Sequence, residues 1–348
     1  MKRRIQMTAA ILLALVLTGC SGKADQLYKE GVNYLEAGSY EQAAECFQQG
    51  LETDQRLAEN YRGLGIAYYE MGNYESAVTM LKQSLEEMED VNDAFTIDVY
   101  YYMAESYRAR GELVRAAEAY TNLLEYTHTA EAYEKRGMVY MEKGDTDRGM
   151  KDFEKAVALD DSYEVSWLIY SVCQEYDMQK EGEAFLEQAL DSGDEGRSQV
   201  SDYYYRGLFN YTLGYYDKAR DELMQAVGKN SDDARLLLGK VYLAMNDVVS
   251  ARSLYQEYLS RNEGAAEAYN GLALCSIAEK DYDTALSNIE QGLAVAADAD
   301  KQSLLFNRIV VYEYKLDFAQ ARTYMQEYLE LYPDDEEAQR ESQFLRSR

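Results

Sequence analysis

The sequence predicts an all-α chain, an α-solenoid of about nine helical hairpins closed by a C-terminal capping helix. Three observations carry this expectation. Residues 61–85 read as two short amphipathic helices joined by a turn: Leu64, Gly65 and Tyr68 share one stripe, Ala77, Leu81 and Leu85 another, and Gly72-Asn73 separates them. Gly65 stands inside the first helix, where glycine costs roughly 0.5–1 kcal/mol relative to alanine. A chain that accepts this brings a second backbone close, and Ala77 is the expected small partner. The pattern then recurs along 348 residues that contain one proline, Pro333, and are 47% apolar, as a helical array requires.

Charge and aromatic content narrow the class of partner. The formal net charge is −28, from 63 acidic and 35 basic residues, and such a surface repels phosphate backbones, so nucleic acid is not an expected partner. Tyrosine is over-represented, with 34 residues against eight phenylalanines. A tyrosine packs at one end and stays wet at the other, which suits helix surfaces half buried and half presented to a partner.

In chain order, Lys2, Arg3 and Arg4 precede an apolar run at 11–17 that is too short to span a bilayer. Leu17-Thr18-Gly19-Cys20 follows and resembles the lipobox of bacterial lipoproteins. The resemblance implies that residues 1–19 are a signal peptide removed by cleavage before Cys20, whose sulfur takes a diacylglycerol. The chain would then be exported and lipid-anchored to the extracytoplasmic face of the bacterial cell membrane; whether that is an inner, outer or single membrane stays open. Residues 20–23 form a short tether, holding the body within roughly 10–15 Å of the lipid at about 3.3–3.6 Å per residue. An acidic array that close to an anionic membrane is expected to point away from it.

The hairpin then repeats. Its marks are Gly31, Tyr34, Gly38, Tyr40, Ala43 and Phe47 in the first copy, and Gly65, Tyr68, Gly72, Tyr74, Ala77 and Leu81 in the second. After an acidic insert at 86–93 come Tyr100, Ala104, Tyr107, Gly111, Ala116 and Tyr120, then Tyr133, Gly137, Tyr140, Gly144, Gly149 and Phe153. The fifth copy is degenerate: Trp167 fits, Ser171 and Gln174 replace the Gly and Tyr, and Ala184 stands one place late. The remaining four show Tyr203, Gly207, Gly214, Tyr216, Ala219 and Leu223; Gly239, Tyr242, Ala251 and Tyr255; Tyr269, Ala273, Tyr282, Ala285 and Ile289; and Tyr312, Phe318, Ala321 and Pro333. The expected packing seam is Gly31, Ala43, Gly65, Ala77, Ala104, Ala116, Gly137, Gly207, Ala219, Gly239, Ala251, Ala273, Ala285 and Ala321.

These residues resemble the tetratricopeptide repeat, with its period of about 34 residues and its Trp-Leu-Gly-Tyr, Ala, Phe and Pro marks. The opening Trp is usually Tyr here, and the closing Pro survives only at Pro333. The resemblance implies a right-handed superhelix in which each repeat buries its apolar face on its neighbours. It divides the chain into an N-terminal array at 24–163, the degenerate repeat at 164–199, a C-terminal array at 200–335 and a capping helix at 336–348. The degenerate repeat, with the loop that follows Asp191, is either a junction between two segments or a diverged unit in one continuous solenoid.

Catalytic constellations are not found. His128, the one histidine, lies between two threonines in an expected loop, with no second histidine or Cys-His arrangement around it. Cys46, Cys173 and Cys275 lie singly in helical patterns and read as core thiols. No phosphate-binding glycine loop is present, and the acidic insert lacks the spacing of a calcium loop. No enzyme activity, cofactor or metal is expected.

The resemblance places function on the first helix of each hairpin, on a concave face turned away from the seam. Carried over by position, the groove residues include Tyr28, Arg62, Tyr69, Tyr101, Arg108, Tyr176, Tyr204, Tyr211, Phe306 and Tyr314, with Glu70, Glu105, Glu134 and Glu142 among the acids interspersed. An aromatic groove with an acidic fringe suits a protein or peptide segment carrying basic or aromatic side chains. The expected function is a non-enzymatic, membrane-anchored binding scaffold at the cell envelope. The alternative is a solute-binding lipoprotein that holds a saccharide or cell-wall fragment on stacked tyrosines. The oligomeric state stays open.

Overall fold

The computed structural model describes residues 22–88, 93–192, 198–262 and 264–348, and among them are nineteen α-helices and no strand. Nine antiparallel pairs run in order: α1 (Lys23–Glu36) with α2 (Tyr40–Leu51), α3 (Leu57–Glu70) with α4 (Tyr74–Glu86), α5 (Asp93–Ala109) with α6 (Leu113–Leu123), α7 (Ala130–Glu142) with α8 (Thr146–Leu159), and α9 (Tyr163–Glu175) with α10 (Gln179–Asp191). There follow α11 (Val200–Thr212) with α12 (Tyr216–Gly228), α13 (Asp232–Ala244) with α14 (Val248–Arg261), α15 (Ala266–Ala278) with α16 (Tyr282–Val295), and α17 (Asp298–Tyr314) with α18 (Phe318–Leu331). The last helix, α19 (Glu336–Arg346), is unpaired and buries Ala338 and Leu345 against Ile309, Met325 and Tyr328. The fold is an α-solenoid of hairpins with a C-terminal cap. Cys20 and the leader lie outside the described residues, as do residues 89–92 of the acidic insert and 193–197 of the loop after α10.

Two local devices make each hairpin. The turn inside it ends the first helix with a left-handed residue; at Gly72, φ is +76°, and the Asn73 side chain then accepts from Ser76 N–H to cap α4. The seam brings the two helices together. A Cβ on Gly65 would lie 2.6 Å from Cγ of Leu81 and 3.3 Å from the Ala77 carbonyl. The glycine therefore makes room chiefly for a large side chain one turn beyond Ala77, with the Ala77 backbone alongside. The same sixteen-residue relation joins Gly31 to Phe47, Gly137 to Phe153, Gly207 to Leu223 and Gly239 to Tyr255. Ala43, Ala77, Ala104, Ala116, Ala219, Ala251, Ala273, Ala285 and Ala321 are fully buried.

In the fifth hairpin the small residue on the seam is Gly182, whose Cβ position falls 2.9 Å from that of Cys173, while Ala184 is exposed. The expectation at Ala184 is corrected: glycine serves as the small residue there, two places earlier.

The chain divides within α10, between Phe185 and Leu186, into two compact units. The first unit stacks its hairpins through three apolar clusters, centred on Phe47, on Tyr107 with Tyr120, and on Phe153 with Ile169. The second is built on Leu223, Tyr255, Ile289 and Tyr328 in succession. Two glycines flank some of these large side chains. Phe47 is met by Gly31 in its own hairpin and by Gly63 in the next; Tyr255 lies between Gly239 and Gly271.

Candidate functional site

In the first unit, first helices of successive hairpins lie side by side, α1 against α3 and α3 against α5. The shared surface of α3 and α5 carries the densest aromatic group among the described residues. Tyr69 meets Tyr102 edge-on with ring centres 5.2 Å apart, Tyr102 meets Tyr101 at 5.5 Å, and Tyr101 meets Tyr120 at 6.4 Å. Tyr69 also touches Tyr74 at the start of α4. Tyr69, Tyr101 and Tyr102 are half-buried, whereas Tyr120 is fully buried and comes from α6 beneath.

Glu105 is the charged centre of this group. Tyr120 Oη donates a short hydrogen bond to Glu105 Oε1. Burial, reinforced by Glu105 and Glu70, pushes the Tyr69 phenol up to about 12. Burial and then Glu105 raise Tyr101 well above the ordinary phenol range, and burial and then Asp98 do the same at Tyr102. All three phenols therefore stay neutral at physiological pH and present uncharged ring faces.

Two basic residues of this surface are already engaged. Arg108 on α5 donates from Nε to Glu142 Oε1 on α7 at 2.7 Å, and Arg62 on α3 pairs with Asp98 on α5 at 3.4 Å. Arg62 also lies over the Phe95 ring, 4.9 Å from its centre. Each pair clips adjacent hairpins together and ties up its guanidinium. Tyr176, just past α9, lies within electrostatic range of both Glu142 and Arg108, and its phenol is raised by burial and then by Glu142. Beside the surface on α7, Glu134 is pushed up to about 7 by burial, then by repulsion from Glu131 and Asp160.

The structure thus brings together Tyr69, Tyr101, Arg108 and Tyr176, with Arg62 at the edge. Tyr28 stands apart: it packs on Phe47, with Arg56 5.2 Å above its ring. In the second unit Tyr204 packs edge-on to Tyr205, and Tyr211 lies 5.9 Å from Tyr216. Phe306 packs against Tyr328, which adjoins α19 in the same cluster, and Tyr314 stands at the turn between α17 and α18, stacked on Tyr282. These four form no single group with one another. Tyr102 and Tyr120 belong to the site without a sign of it in the sequence. The run Tyr100-Tyr101-Tyr102 spreads around the helix, so sequence alone does not say which ring faces a partner, and Tyr120 reads as core.

His128 is exposed, with its Nδ1 3.4 Å from Tyr133 Oη; Cys173 and Cys275 are buried and Cys46 half-buried, all as free thiols. Among the described residues, no cluster of three metal-ligating side chains occurs, and no helix is long and apolar enough to cross a membrane.

Tetratricopeptide repeat models match residues 27–90, 98–126, 130–163, 236–303 and 304–335. No curated protein matches the chain. Solved structures similar to it include MamA, at 21% identity over 46% of this chain and 92% of that one with a TM-score of 0.40. Yeast Tom70 is 14% identical over 93% of this chain and 95% of its own, with a TM-score of 0.43. A tetratricopeptide repeat protein from Parabacteroides merdae is 14% identical over 82% and 98%, with a TM-score of 0.42.

Proposed function

Because the chain belongs to the tetratricopeptide repeat family, we propose that it is a non-catalytic scaffold that holds a segment of another protein on the tyrosine surface of its first unit. One observation carries this reading: Tyr69, Tyr101 and Tyr102 form a continuous, half-buried aromatic platform around Glu105. Neutral phenols supply stacking area, and the carboxylates around them select a basic segment. Arg62 and Arg108 are consumed by Asp98 and Glu142, so capture of a partner's C-terminal carboxylate is disfavoured. The lipobox-like Leu17-Thr18-Gly19-Cys20 supports an anchored chain on the outer face of a membrane, with the partner concentrated at the envelope.

The test is a pull-down with the triple substitution Tyr69→Ala, Tyr101→Ala and Tyr102→Ala, followed by circular dichroism of the same protein. Loss of the partner with helicity retained supports the reading, and an unchanged pull-down overturns it. Native mass spectrometry of the purified chain separates the alternative: a retained saccharide points to solute binding instead.

A further inference from the structure

Nine hairpin turns end their first helices with a left-handed residue. Five use glycine, at Gly38, Gly72, Gly111, Gly144 and Gly214; Asp177, Asn246 and Lys280 serve three more, and the last is Leu316, at φ +60°. A branched apolar side chain is the worst of these choices, since the left-handed region crowds its Cβ and no local hydrogen bond compensates. Burial would offset that strain, but Leu316 is 73% exposed. Leu316 is no part of the core.

Its neighbours share the property. Tyr314, two residues earlier, is 57% exposed and lies flat against Tyr282 of α16, with ring centres 5.8 Å apart and planes at 8°. Lys315 Nζ, between them, is drawn aside to Asp283 at 2.5 Å, which leaves the apolar groups foremost. The rim carries one excess carboxylate: Lys315 is paired with Asp283, which leaves Asp281 and Asp317, the caps of α16 and α18, beside Lys280.

We propose that Leu316, with the stacked Tyr314 and Tyr282, is a docking knob for a protein whose surface has an apolar pocket bordered by lysine or arginine. This surface belongs to the second unit and goes beyond the tyrosine platform of the first. Charge decides the occupant. At net charge −28, a second copy of this chain and an anionic lipid surface are both repelled, whereas a basic rim on a partner is attracted and steered. An apolar anchor inside a charged ring is the usual anatomy of an energetic centre in an interface.

The experiment places a benzoylphenylalanine photo-cross-linker at the exposed Ala319, beside the knob and not part of it, in the full chain, in the cells that make it, and maps the attached residue by mass spectrometry. The expected adduct is with one protein, at an apolar surface residue flanked by Lys or Arg. Adding Leu316→Gly should lower the adduct yield by about tenfold or more, as loss of an anchor does, while the thermal midpoint stays level or rises, because glycine fits the left-handed turn. Leu316→Asn, which also tolerates that conformation, should behave alike. The Tyr69, Tyr101 and Tyr102 triple variant should leave this adduct in place, so failure of the knob and failure of the platform are told apart. No adduct, an adduct with lipid or with a second copy, or a yield indifferent to both Leu316 variants overturns the proposal.

Discussion

Gly239 presents bare backbone to Tyr255: a methyl group there would sit 2.5 Å from Cζ of the ring. The ring is 1% exposed and held on its other side by Gly271 of the next hairpin, so the contact is fixed by the pairing of α13 with α14 and not by a mobile side chain. Gly239→Ala is therefore expected to lose about 1–3 kcal/mol in urea unfolding through overpacking, although alanine is the better helix former. Gly228→Ala, at the end of α12 with nothing within 4 Å of its Cβ position, is the matched control and should be neutral or mildly stabilising.

The Tyr255 hydroxyl is buried without a hydrogen-bond partner among the described residues. Phenylalanine fills the equivalent place at Phe47 and Phe153. Tyr255→Phe should leave the fold intact and raise stability by about 1 kcal/mol, the desolvation cost of an unsatisfied polar group, read from the denaturation midpoint.

Burial and neighbouring acids hold Glu134 at about 7 in the folded chain against an ordinary 4.5, and Glu313 is raised to about 7 by burial and then by Glu341. For a carboxyl raised on folding, the stabilisation is complete below the unfolded value and is lost as pH rises through the folded one. Stability should therefore fall between about pH 4.5 and 7 through these two groups. Glu134→Gln should flatten part of that decline in thermal melts, and an undiminished slope would mean that the repulsion from Glu131 and Asp160 is relaxed by solvent.

Arg108 joins α5 to α7 through Glu142, with both side chains about one-quarter exposed. Arg108→Gln should lower stability by about 1–2 kcal/mol, between the values for exposed and buried pairs. It also releases a carboxylate onto the tyrosine surface. A basic partner should then bind faster at low salt, as measured by stopped flow; slower association would indicate an acidic partner.

How much of this was legible follows from period and face. The turns and the seam were readable because Gly65, Gly72 and Ala77 each do a job that few residues can do. The Ala77 backbone does lie against Gly65, and what the sequence does not show is that the Leu81 side chain reaches back by one turn and comes closer still. In the fifth hairpin alanine drew attention to 184, while Gly182 does the packing. The site was only partly readable. Arg108 and Glu142 are 34 residues apart, so their pairing appears only once the stacking frame is fixed, and it removes a cation that the sequence left free. Leu316 was invisible as a feature because its backbone conformation is what makes it unusual.

A protein segment docked on the first unit would cover Tyr69, Tyr101 and Tyr102 together. Hydroxyl-radical footprinting of the full chain, alone and with its captured partner, tests it most directly. The account predicts that oxidation of Tyr69, Tyr101 and Tyr102 drops sharply in the complex while Tyr28 is unchanged. Equal oxidation of the three rings in both states, with protection elsewhere, would contradict it.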